Sequence, residues 1–292
     1  MPNRITESEM ILNDRGAIYH LDLRPEELAP LIITVGDPGR VKEVSKYFDQ
    51  IEHRSEHREF ITHTGHIGSK RISVISTGIG PDNIDIVMNE LDALVNIDFA
   101  SRMVKAQLTT LDIVRMGTCG GLQPDIPTDG LIVSSFGLGL DNLLHYYRFE
   151  QTRREQELLN AFILHTGIDK RAVAPYLAPA HADLLQAFTE AGYFHGITVT
   201  CPGFYAPQGR MLRIPVFFPE LPDQLYSFRY HDLRITNFEM ETSAIYGLGR
   251  LMNHRCLSVN TVVANRATHQ FSKDSKKAIE KMIERSIGIL VG

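Results

Sequence analysis

Cysteine is scarce in this chain of 292 residues: only Cys119, Cys201 and Cys256 occur. No two of them form a CxxC pair, which argues against a zinc ribbon or a thioredoxin-like redox site. So sparse and odd a set suits a reducing compartment, and a cytoplasmic protein is expected. Long apolar runs are missing too. None approaches the ~20 residues a membrane helix needs, and the opening Met1 to Glu9 has no apolar stretch of the kind a secretion signal carries. Nor is there a basic excess: a formal net charge of -5 sets up no global field for nucleic acid. Absent motifs narrow the chemistry further. Without GxxxxGK[ST] a P-loop nucleotide hydrolase is not expected, and Gly78 and Gly80 do not complete the GxGxxG of a nicotinamide-binding fold. HExxH and the GxSxG nucleophile elbow are missing as well. Repeats and low-complexity segments are not seen.

What is present reads as an α/β protein. Apolar residues make up 43% of the chain, enough at this length to bury a large core without staples. Short β-branched runs predict strands at 31–35, 71–77, 111–116 and 131–133, with further strands at 196–200 and 256–264. Helical spacing is found over 82–96, 152–166, 182–191, 241–252 and 274–290. Residues 1–30 read as an arm or irregular lead-in, and 212–236, aromatic and proline-bearing, fit no one element. Strands alternating with helices imply an α/β fold, and the lack of strict apolar alternation implies strands buried on both faces. Glycine-rich loops then gather at one sheet edge; those at 36–40, 77–83 and 116–121 are the expected site.

Within these loops, Gly36-Asp37-Pro38-Gly39-Arg40 offers backbone amides and a guanidinium fork to an anion; a plain strand-to-helix turn with a surface arginine is the alternative. Arg115 ends an apolar strand and needs either a carboxylate partner or an anionic ligand, with Thr118 adding a hydroxyl. Glu239 and Glu241 flank Met240 just before an apolar helix. They suit acid–base work or simply the dipole of a helix start. Gln208 and Arg210, in a proline-flanked loop after Phe204, suit a planar ligand edge with carbonyl and imide groups, or are an exposed polar loop. His53, His57, His63 and His66 read as a surface strand or hairpin rather than a metal site, and no metal is expected.

Taken in order, these segments resemble the uridine phosphorylase branch of the nucleoside phosphorylase family from about Ile18 to Arg266. The matching stretches are Tyr19-His20-Leu21-Asp22-Leu23, Gly36 to Val41, Glu56-His57-Arg58-Glu59-Phe60, Ser76 to Gly80, Arg115 to Thr118, Phe204 with Gln208 and Arg210, and Asn237 to Glu241. Three departures accompany them: Pro81-Asp82-Asn83 after Gly80, Cys119 where a hydroxyl residue is common, and Ala206-Pro207 before the glutamine. The resemblance implies a single domain over 18–292 behind an arm of 1–17, with a central mixed, twisted, partly barrel-like sheet flanked by helices. It implies phosphate bound by Gly36, Arg40, Arg115 and Thr118, with Arg58 supplied by a partner subunit. The nucleoside falls to His20 of the partner, which approaches its 5′ side, and to Phe204, Gln208, Arg210, Glu239, Met240, Glu241 and Val263, with Ala264 beside Val263. The longer connection at 97–110 implies a homodimer with shared sites, with assembly into a hexamer also open.

The reaction so implied is phosphorolysis of uridine to uracil and ribose 1-phosphate. Phosphate attacks the anomeric carbon opposite the base through an oxocarbenium-like state. Arg115, Glu241, Arg210 and Gln208 are the expected catalytic groups, and phosphate is a co-substrate with no cofactor. Rival readings are a purine nucleoside phosphorylase or a nucleosidase of the same fold, and a catalytically silent nucleoside-binding protein. The strand end Asn265-Arg266 lacks the acid that purine members commonly place there.

Overall fold

In chain order, the first strand, β1 (Leu31–Val35), is the expected β-branched run and feeds α1 (Pro38–Ser45). Pro38 opens that helix with its φ already helical, and the Asp37 side chain caps it by accepting from Gly39 N at 2.9 Å. A hairpin of β2 (Gln50–His57) and β3 (Phe60–Ile67) leads to β4 (Lys70–Ser76) and α2 (Pro81–Asn96). The connection at 97–110 holds a small hairpin, β5 (Ile97–Asp98) with β6 (Met103–Val104). Then come β7 (Asp112–Gly121), β8 (Leu131–Gly139), α3 (Arg153–Thr166), β9 (Tyr176–Pro179), α4 (Ala182–Glu190) and β10 (Phe194–Thr200). The last stretch runs α5 (Leu221–Ser227), β11 (Arg229–Tyr230), β12 (Leu233–Glu239), α6 (Thr242–Leu251), β13 (Arg255–Asn265), β14 (Gln270–Phe271) and α7 (Ser275–Val291). The computed structural model describes residues 4–171 and 173–292.

Twelve of these strands form one mixed sheet, ordered β11-β12-β10-β8-β13-β7-β1-β4-β3-β2, with β9 on β8 and β14 on β13. An extra antiparallel pairing, Asn237 with Gly121 and Phe238 with Gly120, joins β12 back to β7. That pairing closes β7, β13, β8, β10 and β12 into a ring, so the sheet is a barrel at one end and open at the other. On one face α2 and α6 bury Ile84, Val87, Met88, Leu91, Leu94, Ile245 and Leu248. Side chains of this kind contribute about 1.5–3 kcal/mol each when fully buried. Helices α1, α4 and α7 cover the opposite face with Val41, Val44, Phe188, Met282 and Ile283. Outside the ring, α3 and α5 pack Leu158, Phe162 and Leu225 against Ile197, Ile235 and Phe238.

Two expectations are corrected here. The third strand does not stop at Gly117. It continues to Gly121, paired residue for residue in parallel with β13 from Asp112 to Cys119, so 116–121 is strand and not loop. Its glycines serve close approach instead: a Cβ on Gly117 would lie 2.7 Å from Asn260 Oδ1 and on top of the Arg115 guanidinium, and one on Gly120 would lie 2.4 Å from the Phe238 ring. The fourth strand likewise runs on past Val133 to Gly139. The stretch 212–236 resolves into α5, β11 and the start of β12. Residues 4–17 pack against the β5–β6 hairpin, with Ile5 N donating to Arg102 O and Arg102 donating to Met10 O at 2.6 Å. Residues 1–3 of the expected arm lie outside the described residues. Among the described residues, no helix is long and apolar enough to cross a membrane.

Candidate active site

The ends of β1, β4, β7, β12 and β13 open on one cavity of about 630 Å³. Gly36, Asp37, Pro38 and Arg40 line it from the start of α1, Gly78, Ile79 and Asn83 from the turn into α2, and Thr118, Cys119 and Gly120 from β7. The three glycine-bearing segments thus meet, as the alternation of strands and helices implies.

At the inner end lies Arg115, 5% exposed. Its Nη1 donates to Asn260 Oδ1 at 2.6 Å, and its Nη2 bonds Glu241 Oε2 and lies 3.4 Å from Glu239 Oε2. Burial alone disfavours the Arg115 cation, but Glu241 and Glu239 outweigh it and hold its pKa above the ordinary value. Arg40, whose Nη1 donates to Met116 O at 3.3 Å, is pushed the other way by burial and by Arg115.

The two glutamates divide their work. Glu239 accepts from Glu241 N at 2.9 Å, from Thr242 N at 3.0 Å and from Thr200 Oγ1 at 2.8 Å. It therefore caps the first turn of α6, where free amides and the helix dipole favour a carboxylate. Burial raises its pKa, with Arg115 opposing and Glu241 adding to the rise. Glu241 is fixed from across the cavity by Gly80 N at 2.9 Å. The hydrogen bonds of Glu239 are those of a helix-start charge, and both carboxylates line the cavity.

At the outer end, Gln208 is buried while Arg210 is partly open. Arg210 stacks its guanidinium 3.9 Å over the Phe204 ring, donates to Phe204 O at 2.7 Å and bonds Gln208 Oε1. Burial and the nearby Arg266 lower the Arg210 pKa. Arg266 in turn donates to Gln208 O and Gly209 O, both at 3.3 Å, pinning the loop to the end of β13. Met240, Val263, Ala264, Phe238 and Phe271 give the wall between the two ends an apolar surface.

His20 and Arg58 do not join this cavity. They lie together outside it, with Arg58 5.8 Å over the Tyr19 ring and His57 Nδ1 donating to His20 O at 3.1 Å. The hairpin turn between β2 and β3 separates its two residues: Glu59 lines the cavity, and Arg58, at φ 56, does not. The four hairpin histidines each have their own neighbour. His63 bonds Ser45 Oγ at 2.8 Å, His66 lies 2.7 Å from Glu52, His53 lies 3.5 Å from Glu27, and His57 meets the His20 carbonyl.

A family model described as the phosphorylase superfamily matches residues 30–292. The chain belongs to the phosphorylase superfamily. Among members, it is 29% identical to a uridine phosphorylase of Thermococcus kodakarensis over 99% of this chain and 92% of the relative. It is 26% identical to a purine nucleoside phosphorylase of Bacillus thuringiensis over 91% of this chain and 95% of that one. In three dimensions it resembles the Trypanosoma brucei nucleoside phosphorylase, described as showing uridine phosphorylase activity. That match has a TM-score of 0.89 and 31% identity, and covers 97% of this chain and 99% of the other. As a superfamily member the protein is an enzyme of nucleoside phosphorolysis, with the mixed, partly closed sheet of that fold.

Some residues at or behind the cavity carry no local mark in the sequence. Asn260 lies mid-strand and reaches Arg115 only because β13 pairs with β7 in a register that sets Asn260 opposite Gly117. Phe271 arrives on the short strand β14, whose pairing with β13 sets it at the cavity wall. Phe238 and Glu59 were within quoted motifs, yet nothing in those motifs showed which way they face.

Proposed function

We propose that this phosphorylase cleaves uridine with inorganic phosphate, giving uracil and ribose 1-phosphate. The observation that carries this reading is the division of the cavity. An arginine pair, Arg40 and Arg115, stands at one end, and the Gln208–Arg210 pair, stacked on Phe204, stands at the other. A ribose between them would meet Glu241 and Met240. Phosphate held by Gly36, Arg40, Arg115 and Thr118 would add through one oxygen to C1′ as the bond from C1′ to the base nitrogen breaks. The bonding electron pair leaves with the base, spreads over its carbonyl oxygens and is quenched by a proton from solvent. Donors preorganised where that charge grows, on Gln208 and Arg210, lower the barrier. Held reactants supply the rest through proximity. Inorganic phosphate is the one co-reactant this chemistry asks for, and no cofactor is invoked.

The strand end Asn265-Arg266 favours a pyrimidine over a purine. Asn265 Nδ2 is committed to Gln123 O and Ile126 O, and its Oδ1 to Ala267 N and Thr268 N, which leaves no acid there for a purine's imidazole nitrogen. The T. kodakarensis and T. brucei proteins support the same choice. Charge supports a site shared between subunits. Arg40 and Arg115 face two carboxylates, Glu239 and Glu241, so the chain's own inner end has no surplus cation for a phosphate dianion. A neighbour's Arg58 would supply one, with that neighbour's His20 beside the nucleoside. Arg58 takes the left-handed backbone that the two-residue turn between β2 and β3 requires, which presents its side chain outside the chain's own cavity. We therefore read the protein as a homodimer, with further assembly into a hexamer open. The three cysteines are buried and unpaired, which suits the cytoplasm.

Loss of uridine absorbance, followed with and without phosphate, tests the reading. Strict dependence on phosphate is expected. Equal cleavage in phosphate-free buffer would make the enzyme a nucleosidase, and cleavage of inosine but not uridine would give the site to purines.

A further inference from the structure

Glu90 is on α2, outside the lining of its own chain's cavity, and its side chain is 12% exposed. Two successive residues of the lead-in converge on it. His20 N donates to both carboxylate oxygens at 3.1 Å, Leu21 N donates at 2.9 Å, and His20 Nδ1 lies 2.6 Å from Oε1. A carboxylate only accepts, so Nδ1 carries the hydrogen and Nε2 is the ring position left to meet another group. The backbone around the ring is locked as well. His57 holds the His20 carbonyl, and Ser55 Oγ donates to Leu21 O at 3.1 Å. Leu21 and Leu23 are fully buried. A turn needs its amides satisfied; it does not need the imidazole aimed. The contact to Nδ1 is additional to what the turn requires, and the ring remains 26% exposed.

We propose that Glu90 is a positioning residue that aims His20 Nε2 at the 5′-hydroxyl of the nucleoside in the neighbouring subunit's cavity. This rests on the shared-site reading above. The arrangement makes α2 a bridge between two sites. Its first residue follows Gly80, whose amide holds the home Glu241, and Glu90 lies about 15 Å further along the axis at 1.5 Å per residue.

The test compares uridine with 5′-deoxyuridine, in saturating phosphate, for the wild-type oligomer and for Glu90→Ala, Glu90→Gln, His20→Ala and the double variant Glu90→Ala/His20→Ala. With uridine, Glu90→Ala should raise KM ~10-fold, about the effect of losing one directed hydrogen bond, with kcat changing less. With 5′-deoxyuridine the same variant should behave as wild type, since the aimed group has no partner. The double variant should be no worse than His20→Ala. Glu90→Gln keeps one acceptor for the backbone amides, so it guards against a folding defect, and thermal melts accompany every variant. A mixed dimer then fixes the subunit. A tagged chain carrying Glu241→Ala with Glu90→Ala, paired with a wild-type chain, should still show the raised KM at the single working cavity; Glu241→Ala alone paired with wild type should not. Equal losses on both substrates, no loss on either, or a mixed dimer with normal KM would each overturn the proposal. A wild-type enzyme inert to uridine and phosphate would instead sink the reading on which it rests.

Discussion

Arg115 is the residue on which most of the site converges. Its guanidinium joins Asn260 to two glutamates in a buried cluster, and a buried charge of this kind costs several kcal/mol if one partner is lost. Gly117 makes the cluster possible by leaving open the space that its own Cβ would fill. Gly117→Ala should therefore displace Arg115 and Asn260. We expect a stability loss of about 1–3 kcal/mol from overpacking and a much larger relative loss of activity. Denaturant melts beside steady-state kinetics check this, and a variant with normal kinetics would count against Arg115 in the phosphate end. At the other end, Gln208→Ala or Arg210→Ala should lower kcat/KM for uridine ~10²-fold or more, because a polar base edge left unpaired costs several kcal/mol. If both variants keep wild-type rates, the base is read elsewhere. Residue types alone marked Arg115 as needing a partner and Gln208 with Arg210 as a polar pair. They did not show that Arg115 takes carboxylates, amide and cavity together, since three strands bring those groups from distant sequence.

At the scale of elements, α1 and the β2–β3 hairpin meet at His63, whose Nδ1 bonds Ser45 Oγ. Burial lowers the His63 pKa from 6.5, helped by Arg54 and Lys42 and opposed by Glu56. The sign follows from linkage. As pH falls through the unfolded value of 6.5, the unfolded chain takes a proton that the folded chain resists, so stability falls with pH down to the lower folded value. Replacing His63 with Gln should flatten the decline in Tm as pH falls below 6.5. Parallel melting curves for the two proteins over that range would exclude His63 as the cause. Helix α1 begins in the Gly36–Arg40 turn that lines the cavity. The elements themselves were largely legible, because 3.6-residue spacing and β-branched runs are local signals. The glycine run in β7 reads as a loop in the sequence because glycine usually breaks a strand; in the fold Gly120 leaves room for the Phe238 ring of β12 and Gly117 for the Arg115 guanidinium.

For the whole molecule, the outward-facing cluster of Tyr19, His20, His57 and Arg58 is the feature that one chain does not explain by itself. A shared-site dimer predicts complementation. Inactive Arg58→Ala chains co-folded with inactive Glu241→Ala chains should regain about a quarter of wild-type activity, because random pairing gives half mixed dimers, each with one intact site in a two-fold assembly. Co-folded mixtures that stay dead despite confirmed mixed dimers, or monomers that turn over uridine at dilution, would remove the shared site. Sequence order was enough to name the segments at stake, since each carries its residues within a few positions.

The sequence by itself determined the α/β class, the strands and helices with the strongest periodicity, and the short motifs whose residue types suit anion, ribose and base. Those properties are local: they depend on backbone propensity and on side chains a few residues apart. Tertiary structure alone decided which groups share the cavity. Register between β7 and β13 set Asn260 beside Arg115, closure of β12 onto β7 placed Glu239 and Glu241 at one guanidinium, and a left-handed turn put Glu59 inside and Arg58 outside. Such pairings follow from long-range packing, in which one register among several buries the core and gives the buried Arg115 its carboxylate partners.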